Sequence, residues 1–179
     1  MDIVVAYNKN WAIGGQGKML WHLPDELAHF KRETTGKVCI MGRKTWDSLP
    51  DKFKPLQDRL NIVVSKTAKI ELKPDAKGLV YQASSLENAN NFANLLKWMP
   101  LVLIGGGQLY REAIEKNLVH RVIASEVKGY LDVEADTYFP NLEELGWHKV
   151  VEKEYDSYTR IIWEVPCNYM PQGICSAIK

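Results

Sequence analysis

Short apolar blocks alternate with amphipathic stretches along the chain. The blocks at 2–7 (DIVVAY), 38–41 (VCIM), 60–65 (LNIVVS), 79–82 (LVYQ) and 101–104 (LVLI) are too short for buried helices and read as strands. Their near-uniform apolarity, without a polar residue at every second position, marks strands covered on both faces, hence a parallel α/β sheet. Between them, 24–34, 85–98 and 108–116 carry helical spacing, the second with a serine at its start and the third with Leu109, Tyr110, Ala113 and Ile114 as its apolar side. Residues 44–49 begin a short helix that Pro50 breaks, while 11–17, 51–58 and 66–77 read as loop or turn. The last strands are predicted at 121–127, 147–155 and 159–165, the final two joined by a tight Asp-Ser turn that implies an antiparallel edge. In such sheets ligands bind beyond the carboxyl ends of strands, near a switch in strand order. Gly42, Ser65 and Gly105 each follow such an end.

The run from 14 to 35, GGQGKMLWHLPDELAHFKRETT, is the most informative stretch. A glycine-rich segment leads to Trp21, then to Pro24, whose missing N–H suits the first turn of a helix. At ~100° per residue from Leu23, Leu27 falls near about 40°, Phe30 near about −20° and Glu26 near about −60°. Glu26 therefore projects beside the apolar stripe, whereas Asp25 and Arg32 point away from it. A carboxylate facing a core is costly unless something polar meets it. A helix-start acid favoured by the helix dipole is the plain reading, and it describes Asp25 well. Glu33 lies one heptad after Glu26, at the fraying end, where water is expected to reach it.

Composition narrows the class. The 179 residues suit one domain with a sizeable core, and 46% hydrophobic with 25% charged residues are ordinary globular values. A net charge of +1 offers no broad attraction to nucleic acid or an acidic membrane, and no apolar run approaches a membrane span. The N-terminus has an acid at position 2 and no basic region, so no secretory signal is expected. Cys39, Cys167 and Cys175 are odd in number and far apart, which argues for a reducing cytosol rather than a disulfide framework. His22, His29, His120 and His148 are scattered without ligand spacing, and no metal site is expected.

Two kinds of motif carry chemistry at the strand ends. Ile104 is followed by Gly105, Gly106 and Gly107 and then directly by a helix. Consecutive glycines admit a ligand close to the backbone, and the helix N-terminus favours an anion such as a pyrophosphate; the same turn could also serve geometry alone. The full GxGxxG fingerprint is absent. Gly42, Arg43, Lys44 and Thr45 repeat the strand–glycine–helix arrangement with two cations and a hydroxyl, and Ser65-Lys66 pairs hydroxyl and cation again. Side by side they would form a basic cradle for a phosphate monoester, or simply a solvated surface. Arg59, before a buried strand, could grip a carboxylate bidentately or neutralise Asp58.

In order and spacing, AIGG, LWHLPDELAHFK, IMGRKTWDSLP, PLQDR, NIVVS, IGGGQLY and DTYFP together resemble dihydrofolate reductase from Ile3 to Trp163. The resemblance implies a three-layer α/β fold with a central, mostly parallel eight-stranded sheet and an antiparallel C-terminal edge strand. It implies a domain over 1–166, with 167–179 an extension of unknown role, and NADPH-dependent reduction of 7,8-dihydrofolate to tetrahydrofolate. The enzyme would be a cytoplasmic monomer supplying one-carbon metabolism and thymidylate synthesis, and a target of antifolate inhibitors. Glu26 would be the pocket acid that holds the pterin and favours protonation of N5, with a water near Trp21 delivering the proton and Ser125 bonded to the acid. Val5, Ala6, Leu27, Phe30, Leu49, Leu56, Ile104 and Tyr110 would line the substrate, and Arg59 would bind its α-carboxylate. Ala6, Ile13, Gly14, Ile104 and Tyr110 would surround the nicotinamide. Gly105-Gly106 would form a cis peptide, and Gly106 and Gly107 would meet the pyrophosphate, joined by Gln108 and Leu109 at the helix start. Gly42, Arg43, Lys44, Thr45, Ser65 and Lys66 would line the adenosine half, with Arg43, Ser65 and Lys66 toward the 2′-phosphate.

The chain departs from the family pattern in places. The acid is Glu rather than Asp, Ser125 replaces the usual threonine, and Gln108 stands where a basic residue is common. Two residues are inserted between Ser125 and Asp136. Two rival functions remain to be set aside. A reductase of similar fold acting on a ribosylated pyrimidine in flavin synthesis would not need Glu26 or Arg59. A folate- or nucleotide-binding protein without turnover would not need every catalytic position filled. The three glycines in 14–20 make that loop a candidate lid.

Overall fold

The computed structural model describes residues 1–67, 69–70, 79–130 and 134–166. The extension 167–179, with Cys167 and Cys175, most of the predicted 66–77 turn, and 131–133 of the inserted loop lie outside these residues.

An eight-stranded sheet forms the middle layer. In chain order its strands are β1 (Asp2–Asn8), β3 (Val38–Gly42), β4 (Leu60–Val64), β5 (Leu79–Ala83), β6 (Leu101–Leu103), β7 (Arg121–Val127), β9 (His148–Glu154) and β10 (Tyr158–Glu164). The intervening β2 (Ala12–Gly14) and β8 (Thr137–Tyr138) pair with each other outside it. Among the described residues four α-helices cover the sheet: α1 (Pro24–Thr34), α2 (Arg43–Ser48), α3 (Leu86–Leu95) and α4 (Gly107–Glu115). The spatial order is β5-β4-β3-β6-β1-β7-β10-β9, parallel except for β10, which runs against both of its neighbours. The predicted class is observed. The antiparallel C-terminal strand β10 makes a hairpin with the edge strand β9, closed by Tyr155 N–H to Tyr158 C=O at 2.9 Å.

Strand alternation sorts the core into two layers. Ile3, Val5 and Tyr7 of β1, with Ile40, Ile62 and Leu103, pack under Leu86, Ala89 and Ala93 of α3 and Leu109, Tyr110 and Ala113 of α4. Val4, Cys39, Met41, Val63, Val102 and Ile104 face the other way, against Trp46 of α2, Leu49 at its C-cap, Leu56, and Phe30 of α1. The unbroken apolar runs of β3 and β4 thus reflect burial on both faces.

Three local expectations change. Residues 11–17 are not all loop: Ala12 pairs with Tyr138 and Gly14 with Thr137, a contact between distant segments that no local pattern reveals. Helix α3 stops at Leu95, short of the predicted 98, because its buried positions end at Ala93 while Leu95 and Trp98 are 77% and 78% exposed. Residue 99, preceding Pro100, is also biased out of helical geometry. Within the predicted 51–58 loop, Asp51–Phe53 makes one 3₁₀ turn.

Candidate active site

The cleft exists because β6 is short. Strand β1 pairs β6 only through Asp2 and Ile3, and the chain leaves the sheet after Leu103. Among the described residues no strand flanks β1 on that side from Val4 onward, at the point where the order switches between β3 and β1. The freed Val4 carbonyl accepts the Tyr110 hydroxyl at 3.0 Å. Val5 presents only backbone toward this gap, since its side chain packs in the opposite layer with Ile3 and Tyr7.

Glu26 stands in the first turn of α1 above this opening, 5% exposed, as the helical wheel predicts, while Asp25 and Arg32 are exposed. Burial pushes its carboxyl pKa up from the ordinary 4.5, and the hydrogen bond from Ser125 partly opposes that rise. Ser125 lies on β7 directly opposite Ala6 of β1, so acid, hydroxyl and open strand edge meet at one place. The Glu26 charge also helps raise the pKa of the fully packed Tyr110 phenol, after burial as the main cause. Trp21 is 6% exposed and packs in a small cluster with Val127 and Tyr158, bordered by Ala6, Leu20 and Leu23. Glu33, part-exposed at the end of α1, also forms an ion pair with Arg160 of β10.

The apolar wall assembles as expected. Phe30, Leu49, Leu56 and Ile104 belong to one cluster with Val4, and Leu27 is half-buried beside them on α1. Arg59 is only 8% exposed and is directed at the end of α1 rather than at Asp58. Its Nε donates to Thr34 Oγ1 at 2.9 Å, one terminal nitrogen to Gln57 C=O at 2.5 Å, and the other to Lys31 C=O and Thr35 Oγ1 at 3.3 Å each. Burial lowers its pKa from 12.5, and the Lys31 carbonyl at the end of α1 and the Gln57 carbonyl supply negative poles to the buried guanidinium.

Opposite the acid, the glycine turn closes β6 onto α4. Gly105–Gly106 is cis, Gly105 has φ +146°, and its carbonyl accepts from Gly42 N–H at 2.8 Å, which ties the ends of β3 and β6 together. Thr45 of α2 covers the turn: a Cβ at Gly105 would lie 2.8 Å from Thr45 Oγ1, and one at Gly106 3.1 Å. A Cβ at Gly107 would lie 2.9 Å from Thr137 and 3.7 Å from Ile13, which places the β2–β8 pair against the start of α4. Helix α4 has Gly106 at its N-cap with no side-chain hydrogen bond, leaving first-turn N–H groups to meet an anion. Gln108 there is exposed, and Leu109 packs in the core, so Leu109 offers only backbone. Arg43, Lys44 and Lys66 are exposed at the ends of β3 and β4 beside the buried Ser65, with Arg43 3.9 Å from Asp47. Uncapped helix amides, close-packed glycines and three cations fit a phosphate-bearing dinucleotide.

The loop before α1 is docked. Gly15 and Lys18 exchange backbone hydrogen bonds around Gln16 (φ +51°) and Gly17 (φ +75°), a hairpin turn with both central residues left-handed. Gln16 N–H donates to Asp136 Oδ2 at 2.8 Å, Asp136 N–H to Gly14 C=O at 3.1 Å, and Thr137 Oγ1 to Asp136 Oδ1 at 2.7 Å. The sequence motifs pick out neither Asp136 as an anchor nor Tyr158 and His29 beside Glu26. DTYFP carried Asp136 only as part of the resemblance, and His29 falls about 120° around the wheel from Leu23, outside the apolar stripe.

Fold and site together are those of an α/β protein in which, among the described residues, one buried acid stands at the open edge of β1 opposite a glycine turn. The model of the dihydrofolate reductase family matches residues 1–166. Among similar proteins, the dihydrofolate reductase of Candida albicans is 35% identical over 87% of this chain and 83% of its own length. That of Haemophilus influenzae is 35% identical over 89% of this chain and 88% of its own, and that of Mus musculus 35% over 84% and 83%. The chain belongs to the dihydrofolate reductase family, a family of oxidoreductases that use a nicotinamide cofactor.

Proposed function

We propose that residues 1–166 form a reductase domain that converts 7,8-dihydrofolate to 5,6,7,8-tetrahydrofolate with NADPH, as a cytoplasmic monomer feeding one-carbon metabolism and open to antifolate inhibitors. The observation that carries this reading is the buried, Ser125-bonded Glu26 at the open edge of β1, across from the glycine turn and its cations. A bound reduced nicotinamide supplies the hydride that pterin C6 receives.

The chain's own work is alignment and proton affinity. Glu26 holds the pterin through its 2-amino group and N3, with Ser125 holding the carboxyl in place. A carboxyl group engaged at that edge does not itself reach N5. Burial keeps its pKa high, so the protonated form persists nearer neutral pH and favours a proton at N5. Trp21 walls that side of the site, where a water would carry the proton. Ala6, Leu27, Phe30, Leu49, Leu56, Ile104 and Tyr110 exclude solvent from the ring and the benzoyl group, and Val5 offers backbone. Arg59, oriented by Thr34 and Gln57, receives the α-carboxylate. Ile13 and Gly14 flank the nicotinamide pocket, Gly106 and Gly107 admit the pyrophosphate, and Arg43, Ser65 and Lys66 read the 2′-phosphate. The 14–20 loop, pinned by Asp136, serves as a lid.

One assay tests the reading: loss of reduced-nicotinamide absorbance with NADPH and dihydrofolate, for wild type and Glu26→Gln. Wild type turns over; the variant loses most activity at neutral pH and regains part as pH falls. Absence of wild-type turnover would refute the activity, and full activity of the variant at every pH would refute the role of Glu26.

A further inference from the structure

Among the described residues, three buried side-chain polar atoms have no hydrogen-bond partner: Arg160 Nε, whose guanidinium is already paired with Glu33, and Trp21 Nε1 and the Tyr158 hydroxyl, which share one cluster. Leaving either of the last two desolvated and unpaired costs about 1–3 kcal/mol, so native structures keep few such groups without a use. Their small cluster includes Val127. Tyr158 on β10 is paired in register with Val127 on β7, and Ser125 lies two residues along the same strand. Two residues apart on a strand means the same face, so Tyr158, Val127 and the Ser125 that grips Glu26 all face α1. Diagonal neighbours across antiparallel strands lie within reach of an aromatic side chain, at about 7–8 Å between backbones.

The Tyr158 ring is also held in place. His29, one turn after Glu26 on α1, meets it edge-on at 5.6 Å, and Tyr155 stacks on it at 4.7 Å and 15°. His29 meets Tyr155 edge-on as well, at 5.1 Å. The ring is 0% exposed, so its hydroxyl cannot turn to bulk solvent.

The chemistry of the three groups is complementary. An indole N–H only donates, a phenol donates and accepts, and a carboxylate accepts at both oxygens, of which Ser125 uses one site. One water between them would gain three polar partners, enough to be retained in a buried position. We infer that Tyr158 is a positioning residue for the pocket acid: through a water shared with Trp21, its hydroxyl hydrogen-bonds the ionised Glu26 carboxylate and holds down that group's proton affinity. The inference rests on the reading of Glu26 as the pocket acid and adds a third strand, β10, to the groups that set its titration.

The charged and titratable groups around this site come from every packed element. Ser125 approaches from β7, Tyr110 from α4, Tyr158 and Arg160 from β10, Lys153 and Tyr155 from β9 and its turn, and Asp25, His29, Arg32 and Glu33 from α1 itself. Tyr158 feels burial first, then Tyr155 and Glu26, all raising its pKa, so acid and phenol are coupled. The His29 pKa is lowered by burial first and then by Arg32, Arg160 and Lys153, with Glu33 opposing.

The test reads the carboxyl group itself. In protein carrying ¹³C at glutamate side-chain carboxyls, the Glu26 resonance is assigned by its loss in Glu26→Gln and titrated in wild type and Tyr158→Phe. Removing the hydroxyl raises the Glu26 midpoint by roughly half to one pH unit. Site-specific 3-fluorotyrosine at 158, a stronger donor with the ring retained, lowers it. An unmoved midpoint in both proteins overturns the inference, and the fluorinated protein decides alone if Tyr158→Phe does not fold. Turnover by Glu26→Gln, measured separately, tests the function: its failure would leave this coupling to stand or fall on the titration.

Discussion

Glu26 of α1 and Ser125 of β7 are ninety-nine positions apart (125 minus 26) yet share a hydrogen bond at a carboxyl group that is almost wholly buried. The bond works against burial: desolvation favours the neutral acid, and a donor aimed at the carboxylate favours the charged one. Their balance sets where the acid titrates.

Removing the donor should therefore shift that balance. In Ser125→Ala the falling limb of the turnover–pH profile moves up by about one pH unit or less, since a hydrogen bond to a charged group is worth about 1.5–3 kcal/mol and part is recovered by rearrangement. Ser125→Thr, which keeps a hydroxyl, leaves the limb near the wild-type position. An alanine profile superimposable on wild type would remove Ser125 from the tuning of Glu26.

The raised pKa also predicts a cost in stability. A group whose folded pKa lies above its unfolded value contributes fully below the unfolded value and loses that contribution as pH rises through the folded one. Folding stability attributable to Glu26 thus declines as pH climbs from the ordinary 4.5 through its raised value. Glu26→Gln, which cannot ionise, should be more stable than wild type by about 1–2 kcal/mol at neutral to alkaline pH and show no gain below the window. Denaturant melts at acid and alkaline pH check both the sign and the window.

Arg43 is exposed and only loosely paired with Asp47 at 3.9 Å, so it is available to a ligand. Arg43→Ala is expected to weaken NADPH about tenfold or more while changing NADH little, because a phosphate–guanidinium pair is charge-assisted and bidentate. Cofactor dissociation constants by fluorescence decide this; equal losses for the two cofactors would take Arg43 out of 2′-phosphate recognition.

Asp136 receives Gln16 N–H and Thr137 Oγ1, and its own N–H holds Gly14 C=O. The first of these bonds lowers the carboxyl's pKa less than the Thr137 bond does, and both favour its charged form. Asp136→Ala should release the 14–20 loop, slow turnover by roughly tenfold and leave the melting temperature within a few degrees. Relaxation-dispersion measurements on loop amides, with and without ligand, would show altered exchange. Unchanged exchange would argue against a lid.

Gly105 is irreplaceable on two counts: φ +146° and a Cβ position 2.8 Å from Thr45 Oγ1. Gly105→Ala should cost about 1–3 kcal/mol in strain and displacement of Thr45. A double change with Thr45→Ala relieves the contact but not the backbone, so recovery in melts will be partial.

Much of this site was legible because it depends on local rules. Pro24 and the spacing of Leu23, Leu27 and Phe30 define α1 and turn Glu26 inward, and burial of Glu26 with exposure of Asp25 follows. The glycines after Ile104 announce a close backbone approach. Ser125 was different: a serine in an ordinary strand carries no mark of its own, and only the family likeness singled it out. The ion pair that Glu33 makes has no local mark either, because its partner, Arg160, lies 127 positions away.

By itself, the sequence determined where most strands and helices lie, which acid turns toward the core, and which strand ends carry glycine turns, because periodicity, proline and glycine act within a few residues. Tertiary structure alone decided that β2 and β8 meet, that Arg59 is anchored on the end of α1, and that Tyr158 and His29 stand beside Glu26. Those depend on strand order and on register between β7 and β10, where a shift of one residue would turn each side chain to the opposite face. No local pattern encodes that choice; burial of both sheet faces at once does.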